Sequence, residues 1–174
     1  MDVWSTAGGA PLLTLRCHTG PVHALALSLD GQRLYSGSED CTVRAYSTVD
    51  GRVLQLLEGH RAPVYALALS ADGLRLYSGS ADCTVRACST VDGALLQVLE
   101  GHKGPVQALA LSADDRQLYS GSDDCTVCVW AAMGSARRPL QTLQGHMSAV
   151  FALAFSADGR WLYSGHENGT VLKW

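Results

Sequence analysis

The feature that most constrains this chain is that it repeats itself. His18, His60, His102 and His146 are spaced 42, 42 and 44 residues apart. Ser36, Ser78, Ser120 and Ser164 keep that spacing, and so do Asp40, Asp82, Asp124 and Asn168. A fourth set, Trp4, Tyr46, Cys88, Trp130 and Trp174, runs through the chain in the same phase. A fixed period near 42 describes stacked units, none of which can bury its apolar face alone. Segments 18–59 and 60–101 share 32 of 42 residues, so two units are near copies.

Each unit reads as four short strands, which in the first copy are Leu12–Arg16, Pro21–Ser28, Leu34–Ser38 and Thr42–Tyr46. Asp30-Gly31, Asp72-Gly73 and Asp158-Gly159 supply hairpin-turn chemistry, and Asp50-Gly51 and Asp92-Gly93 supply it for the next turn. The second strand is apolar on both faces. Strict alternation puts Val22, Ala24 and Ala26 on one and Leu25 and Leu27 on the other. A strand buried on both sides belongs in stacked sheets, and its alanines suit a crowded inner edge near a central axis. The reading is one all-β domain over residues 1–174, with units of about 4–45, 46–87, 88–129 and 130–174. The stretch 131–139, two residues longer than its counterparts, reads as a surface loop.

Composition removes several classes of function. The 174 residues suit one domain with a core of its own. A formal net charge of −3 leaves no room for a large basic surface, so nucleic acid is not expected as a partner. The longest uncharged apolar runs, such as Pro63–Ala71, are too short to span a bilayer, and Met1–Trp4 lacks the pattern of a secretory leader. Cys125-x-x-Cys128 is half of a metal or redox motif, but residues three apart on a strand point to opposite faces. Cys41, Cys83 and Cys125 recur in successive units, at a separation beyond the roughly 7 Å that a disulfide spans. No metal and no cofactor are expected, and six unpaired cysteines point to a reducing, intracellular and cytoplasmic setting.

Gly59-His60, Ser78-Gly79-Ser80, Asp82, Thr84-Val85 and the aromatic-type position that follows resemble the WD40 repeat, four times over nearly the whole chain. The resemblance implies β-propeller blades of four antiparallel strands, and a structural hydrogen-bonded tetrad in each blade. The third would be His102, Ser120, Asp124 and Trp130, and the fourth His146, Ser164, Asn168 and Trp174. The first two would be His18, Ser36 and Asp40, and His60, Ser78 and Asp82, with Tyr46 and Cys88 where the tryptophan belongs. Without an indole donor, blades one and two are expected to be less rigid by about one net hydrogen bond each, roughly 0.5–1.5 kcal/mol. Other departures are Cys17 before His18, and Ser5, Ser47, Ser89 and Ala131 where an Asp usually follows the tryptophan. No repeat carries the Asp-x-Arg of adaptors that dock on ubiquitin-ligase cores.

A recurring Ser, His and Asp also invites a hydrolase reading. Four equivalent sets fit a repeated structural network better than one catalytic centre, so no catalytic residue is expected. The positions that vary between units point elsewhere. One follows the valine of the second strand and holds His23, Tyr65, Gln107 and Phe151. The other precedes the tetrad Asp or Asn and holds Glu39, Ala81, Asp123 and Glu167. In WD40 proteins these positions line the channel mouth where peptides dock, beside Pro21, Pro63, Pro105 and Ala149. Aromatic anchors with an acidic rim would match a basic peptide. The function expected is a non-enzymatic scaffold for protein–protein interaction; the alternatives are a truncated product of a longer propeller gene and, less favoured, a hydrolase. Four units make a partial or oligomer-completed propeller, and the spare strand Leu12–Arg16 is expected beside Thr170–Trp174, within one ring or in a homodimer of eight blades.

Overall fold

In the computed structural model of the chain, residues 2–4, 11–15 and 17–174 are described; Ser5 and Arg16 lie outside them. Every regular element among the described residues is a strand. The first blade is β3 (Val22–Leu27), β4 (Arg33–Ser38), β5 (Val43–Ser47) and β6 (Val53–Leu57), after a separate pair, β1 (Asp2–Trp4) and β2 (Pro11–Thr14). The second is β7 (Val64–Leu69), β8 (Arg75–Ser80), β9 (Thr84–Ser89) and β10 (Leu95–Glu100). The third is β11 (Val106–Leu111), β12 (Gln117–Ser122), β13 (Val127–Ala131) and β14 (Gln141–Leu143). The fourth has three strands, β15 (Val150–Phe155), β16 (Leu162–His166) and β17 (Val171–Lys173). Each blade is an antiparallel meander in chain order.

The sheets are offset from the sequence units by one strand. β6 lies beyond Tyr46 yet pairs with β5, because its backbone groups find a free edge there before the chain crosses to the next blade. The first hairpin of each blade turns on Asp30-Gly31 and its counterparts. The Asp30 side chain accepts from Ser28 and from the Gln32 N–H, and Gly31 takes φ 68°. The second turns on Asp40-Cys41, Asp82-Cys83 and Asp124-Cys125, where each cysteine holds a left-handed φ of 63–66° that Gly169 adopts freely in the fourth blade. Cys125 is therefore a turn residue, and the strand begins two residues later at Val127.

The inner strands depart from strict alternation. Each carries a β-bulge at its start, between Val22 and Ala24 and at the three equivalent places. The extra residue changes the phase of the valine. Val64, Val106 and Val150 thus pack with the leucine side of their strands, not with the alanines as alternation alone places them. That side docks on the preceding blade. Tyr35, Val43 and Ala45 of blade one receive Val64, Leu67 and Leu69 of blade two, and the next two seams repeat the pattern. A Cβ on Gly37, Gly79 or Gly121 would lie 2.6–2.7 Å from the γ-methyl of that valine, so glycine makes the notch into which the valine fits.

The arc is open. β3 packs on β7, β7 on β11 and β11 on β15, and no comparable contact joins β15 to β3. Leu25 and Leu27 at one end are 53% and 57% exposed, and Val171 at the other is 68% exposed. Within one chain, the first strand does not lie beside Thr170–Trp174, the first of the two arrangements expected from the sequence. β2 pairs with β1, with Val3 opposite Leu13, a partner nearer in the chain and so cheaper to close on.

Candidate interaction site at the bulge end of the blades

The bulges decide where the variable side chains go. His23, Tyr65, Gln107 and Phe151 are the bulged residues themselves, left out of the ladder at the start of β3, β7, β11 and β15. Glu39, Ala81, Asp123 and Glu167 begin the turn after the second strand. Their N–H groups donate to the carbonyls of Pro21, Pro63, Pro105 and Ala149 at 2.8–3.0 Å, which fixes both variable positions at one end of the blade. His23 Nε2 is 2.7 Å from Glu39 Oε2, and the His23 ring meets Tyr65 edge-on with centroids 5.1 Å apart. Two blades therefore contribute to one cluster. Gln107 donates to Asp123 at 3.1 Å. Phe151 is 47% exposed and Glu167 is exposed, while Ala81 is half-buried. The cysteines of the same turns point their thiols at the carbonyls of residues 39, 81 and 123. Burial and then the charges of Asp82, Asp124 and Asp123 push the Cys83 thiol up, away from reactivity.

Behind this end lie the His–Ser–Asp sets. His18, His60 and His102 each put Nδ1 at 2.8 Å from the carboxylate of Asp40, Asp82 or Asp124. Nε2 of each is 2.7–2.8 Å from the hydroxyl of Ser36, Ser78 or Ser120. The Trp130 indole N–H donates to Ser120 at 2.8 Å. In blade one Tyr46 fills the tryptophan's place, wholly buried, with its ring edge-on to that of His18 at a centroid distance of 6.4 Å. In blade two Cys88 is buried and makes no such bond among those described. Burial opposes ionisation of the three aspartates. Hydrogen bonds from the histidine, the Thr two residues on and the N–H after the histidine outweigh it, so all three are held well below the usual carboxylate range. Burial likewise opposes protonation of His102, but the Asp124 bond and the Cys128 sulfur outweigh it and raise its pKa to about 9.

The fourth set is built differently. Asn168 turns its side-chain oxygen to Thr170, and His146 Nδ1 is buried without a partner. His166 stands where Ser38, Ser80 and Ser122 stand in the other blades. Its ring lies 4.7 Å from that of His146, and both histidines share the Ser164 hydroxyl with the Trp174 indole. Burial, and then the neighbouring His166, lower the pKa of His146. His166 replaces the last serine of a Ser-Gly-Ser strand end that the other three blades keep.

The family model described as "WD domain, G-beta repeat" matches residues 9–47, 51–87, 93–131 and 137–174. The chain belongs to that family. Among solved structures, this WD-repeat chain is similar to "Crystal structure of the computationally designed Ika4 protein", with 32% identity and a TM-score of 0.82 over 95% of this chain and 98% of that one. It is also similar to "Structure of U3-55K", with 30% identity and a TM-score of 0.84 over 92% of this chain; the WD-repeat chain spans 50% of that chain's length. No curated protein sequence matches it at a significant level. WD repeats are protein-interaction scaffolds in general, and the family is generally non-enzymatic.

Proposed function

We propose that this WD-repeat chain is a non-enzymatic scaffold that holds a basic peptide segment of a partner protein at the bulge end of its blades. The observation that carries this reading is the cluster of His23, Glu39 and Tyr65. It sets an aromatic ring beside a carboxylate across two blades, on residues that differ between near-copy repeats. The bulge sets these side chains out of the ladder at one end of the blades, where Phe151 is 47% exposed. Glu39, Asp123 and Glu167 add an acidic rim that would attract lysine and arginine.

The Ser–His–Asp distances are those of a hydrolytic triad, yet the surroundings argue against catalysis. Ser36 and Ser120 are 0% exposed, so no substrate carbonyl could reach them. With its pKa raised, His102 is protonated at neutral pH and has no lone pair with which to activate a serine.

Tyr65→Ala combined with Glu39→Lys tests the reading. A partner recovered by pull-down with the parent chain is expected to be lost with the double variant, while the melting temperature changes little because both side chains lie partly in solvent. A partner that still binds the double variant places the binding face elsewhere.

A further inference from the structure

The two ends of the arc carry the two halves of one seam. Each internal seam seats a valine of one blade in a glycine notch of the blade before it: Val64 in Gly37, Val106 in Gly79, Val150 in Gly121. Those valines are fully buried. At the open ends one valine and one notch are left over. Val22 is only half-buried, and beside it Leu25 and Leu27 stand in solvent where their counterparts in blades two and three are packed. A Cβ on Gly165 would meet only Ala152 of its own blade, at 3.4 Å, so this notch is empty. Around it Tyr163 and Val171 repeat Tyr35 and Val43, the residues that receive blade two.

The strand order leaves a matching surplus and deficit. β6, β10 and β14 each precede an inner strand in the chain and each complete the blade before it. β2 precedes β3 in the same way but pairs with β1, and blade four has three strands among the described residues. The polar corner of the seam changes at the open end. Arg33 and Arg75 reach across to the carbonyls of Thr90 and Ala132. On blade four the Lys173 ammonium lies 3.7 Å over the Trp161 ring, which stands at the arginine position, and Thr48 is the corresponding carbonyl on blade one.

We infer that a second copy of this chain covers both ends, blade four of each copy docking on blade one of the other, so that two copies close an eight-bladed ring. A seam of this kind joins two different surfaces, so it closes into a ring or runs on as a filament. Closure at two copies follows from the number of blades: one copy leaves the arc open, three copies would exceed the range that propellers adopt, and eight blades lie within it. The inference does not depend on the peptide reading above, since it concerns the sides of the terminal blades and not the bulge end.

Light scattering from the 174-residue chain at micromolar concentration is expected to give twice the chain mass. Leu27→Asp and Val171→Asp each place a charge on a residue that is exposed in the single chain and compatible with its fold. Each is expected to weaken association by about 100-fold or more, with the far-ultraviolet dichroism and melting of the monomer retained. Gly165→Ala, which fills the notch alone, is expected to weaken association in the same direction. Mixing the two charged variants is expected to restore a dimer, because both charges then fall on one seam and the other is intact. A monomeric parent chain, a mass beyond two copies, a dimer that survives both charged variants, or a mixture that stays monomeric would each overturn the inference.

Discussion

Ser120 carries two hydrogen bonds from ring nitrogens, one from His102 and one from Trp130, where Ser78 has only the His60 contact among the described bonds. Ser120→Ala should therefore cost more stability than Ser78→Ala, by about one net hydrogen bond, 0.5–1.5 kcal/mol. Equal shifts in urea midpoint would mean that the indole contributes nothing. The titrating groups of these sets give opposite pH limbs. His102 binds its proton more tightly folded than unfolded, so its stabilising contribution is complete below pH 6.5 and fades as the pH rises toward about 9. Asp40, Asp82 and Asp124 contribute fully above their ordinary value of 3.8 and lose that contribution as the pH falls below it. His146 has the reverse sign to His102. Its folded pKa lies below 6.5, so acidification from there favours the unfolded chain. His166→Ser removes the neighbouring imidazole, and urea titrations at pH 7 and pH 5.5 are expected to show a smaller loss than in the parent. The tetrad positions were legible because spacing alone picks them out. The stacked pair was not, because His146 belongs to the repeat and His166 to an exception, and only folding brings the rings together.

At the scale of the element, the notch and the bulge set the seams. Gly121→Ala pushes a methyl group to within 2.6 Å of the Val150 side chain, and overpacking of that kind is expected to cost about 1–3 kcal/mol, read as a lower urea midpoint. Blade four should gain from the opposite kind of change. Asn168→Asp with His166→Ser restores the residues that the other three blades use. It gives His146 Nδ1 a carboxylate partner, and the expected gain is about 1–3 kcal/mol in a thermal or urea melt. Strand existence and the Asp-Gly turns could be read from the sequence, since both are local. The bulge could not, because V-x-A-L-A-L alternates without a visible fault. Its phase break appears only when Val22 and its copies are seen on the leucine side. Tyr46 holds a similar lesson: a phenol at a tryptophan position is wholly buried and meets the His18 ring edge-on.

At the scale of the whole molecule, the acidic rim sits on a chain of net charge −3. Binding of a lysine- or arginine-rich peptide at the bulge end is expected to weaken by about tenfold as salt rises from ~50 to ~500 mM, measurable by fluorescence anisotropy. Salt-independent affinity would mean that the aromatic side chains alone hold the ligand. The all-β class and stacked blades were legible from the period. The fate of the first strand was not, because pairing with β1 closes a short loop while pairing with β17 must span the chain. The valine and its glycine notch have a consequence for descent. Because every blade offers the same plug and the same socket, duplicating 42 residues adds a working joint with no surface redesigned. The number of blades is then a quantity that gene duplication can raise or lower one step at a time, and the near identity of segments 18–59 and 60–101 is what a recent step of that kind leaves behind.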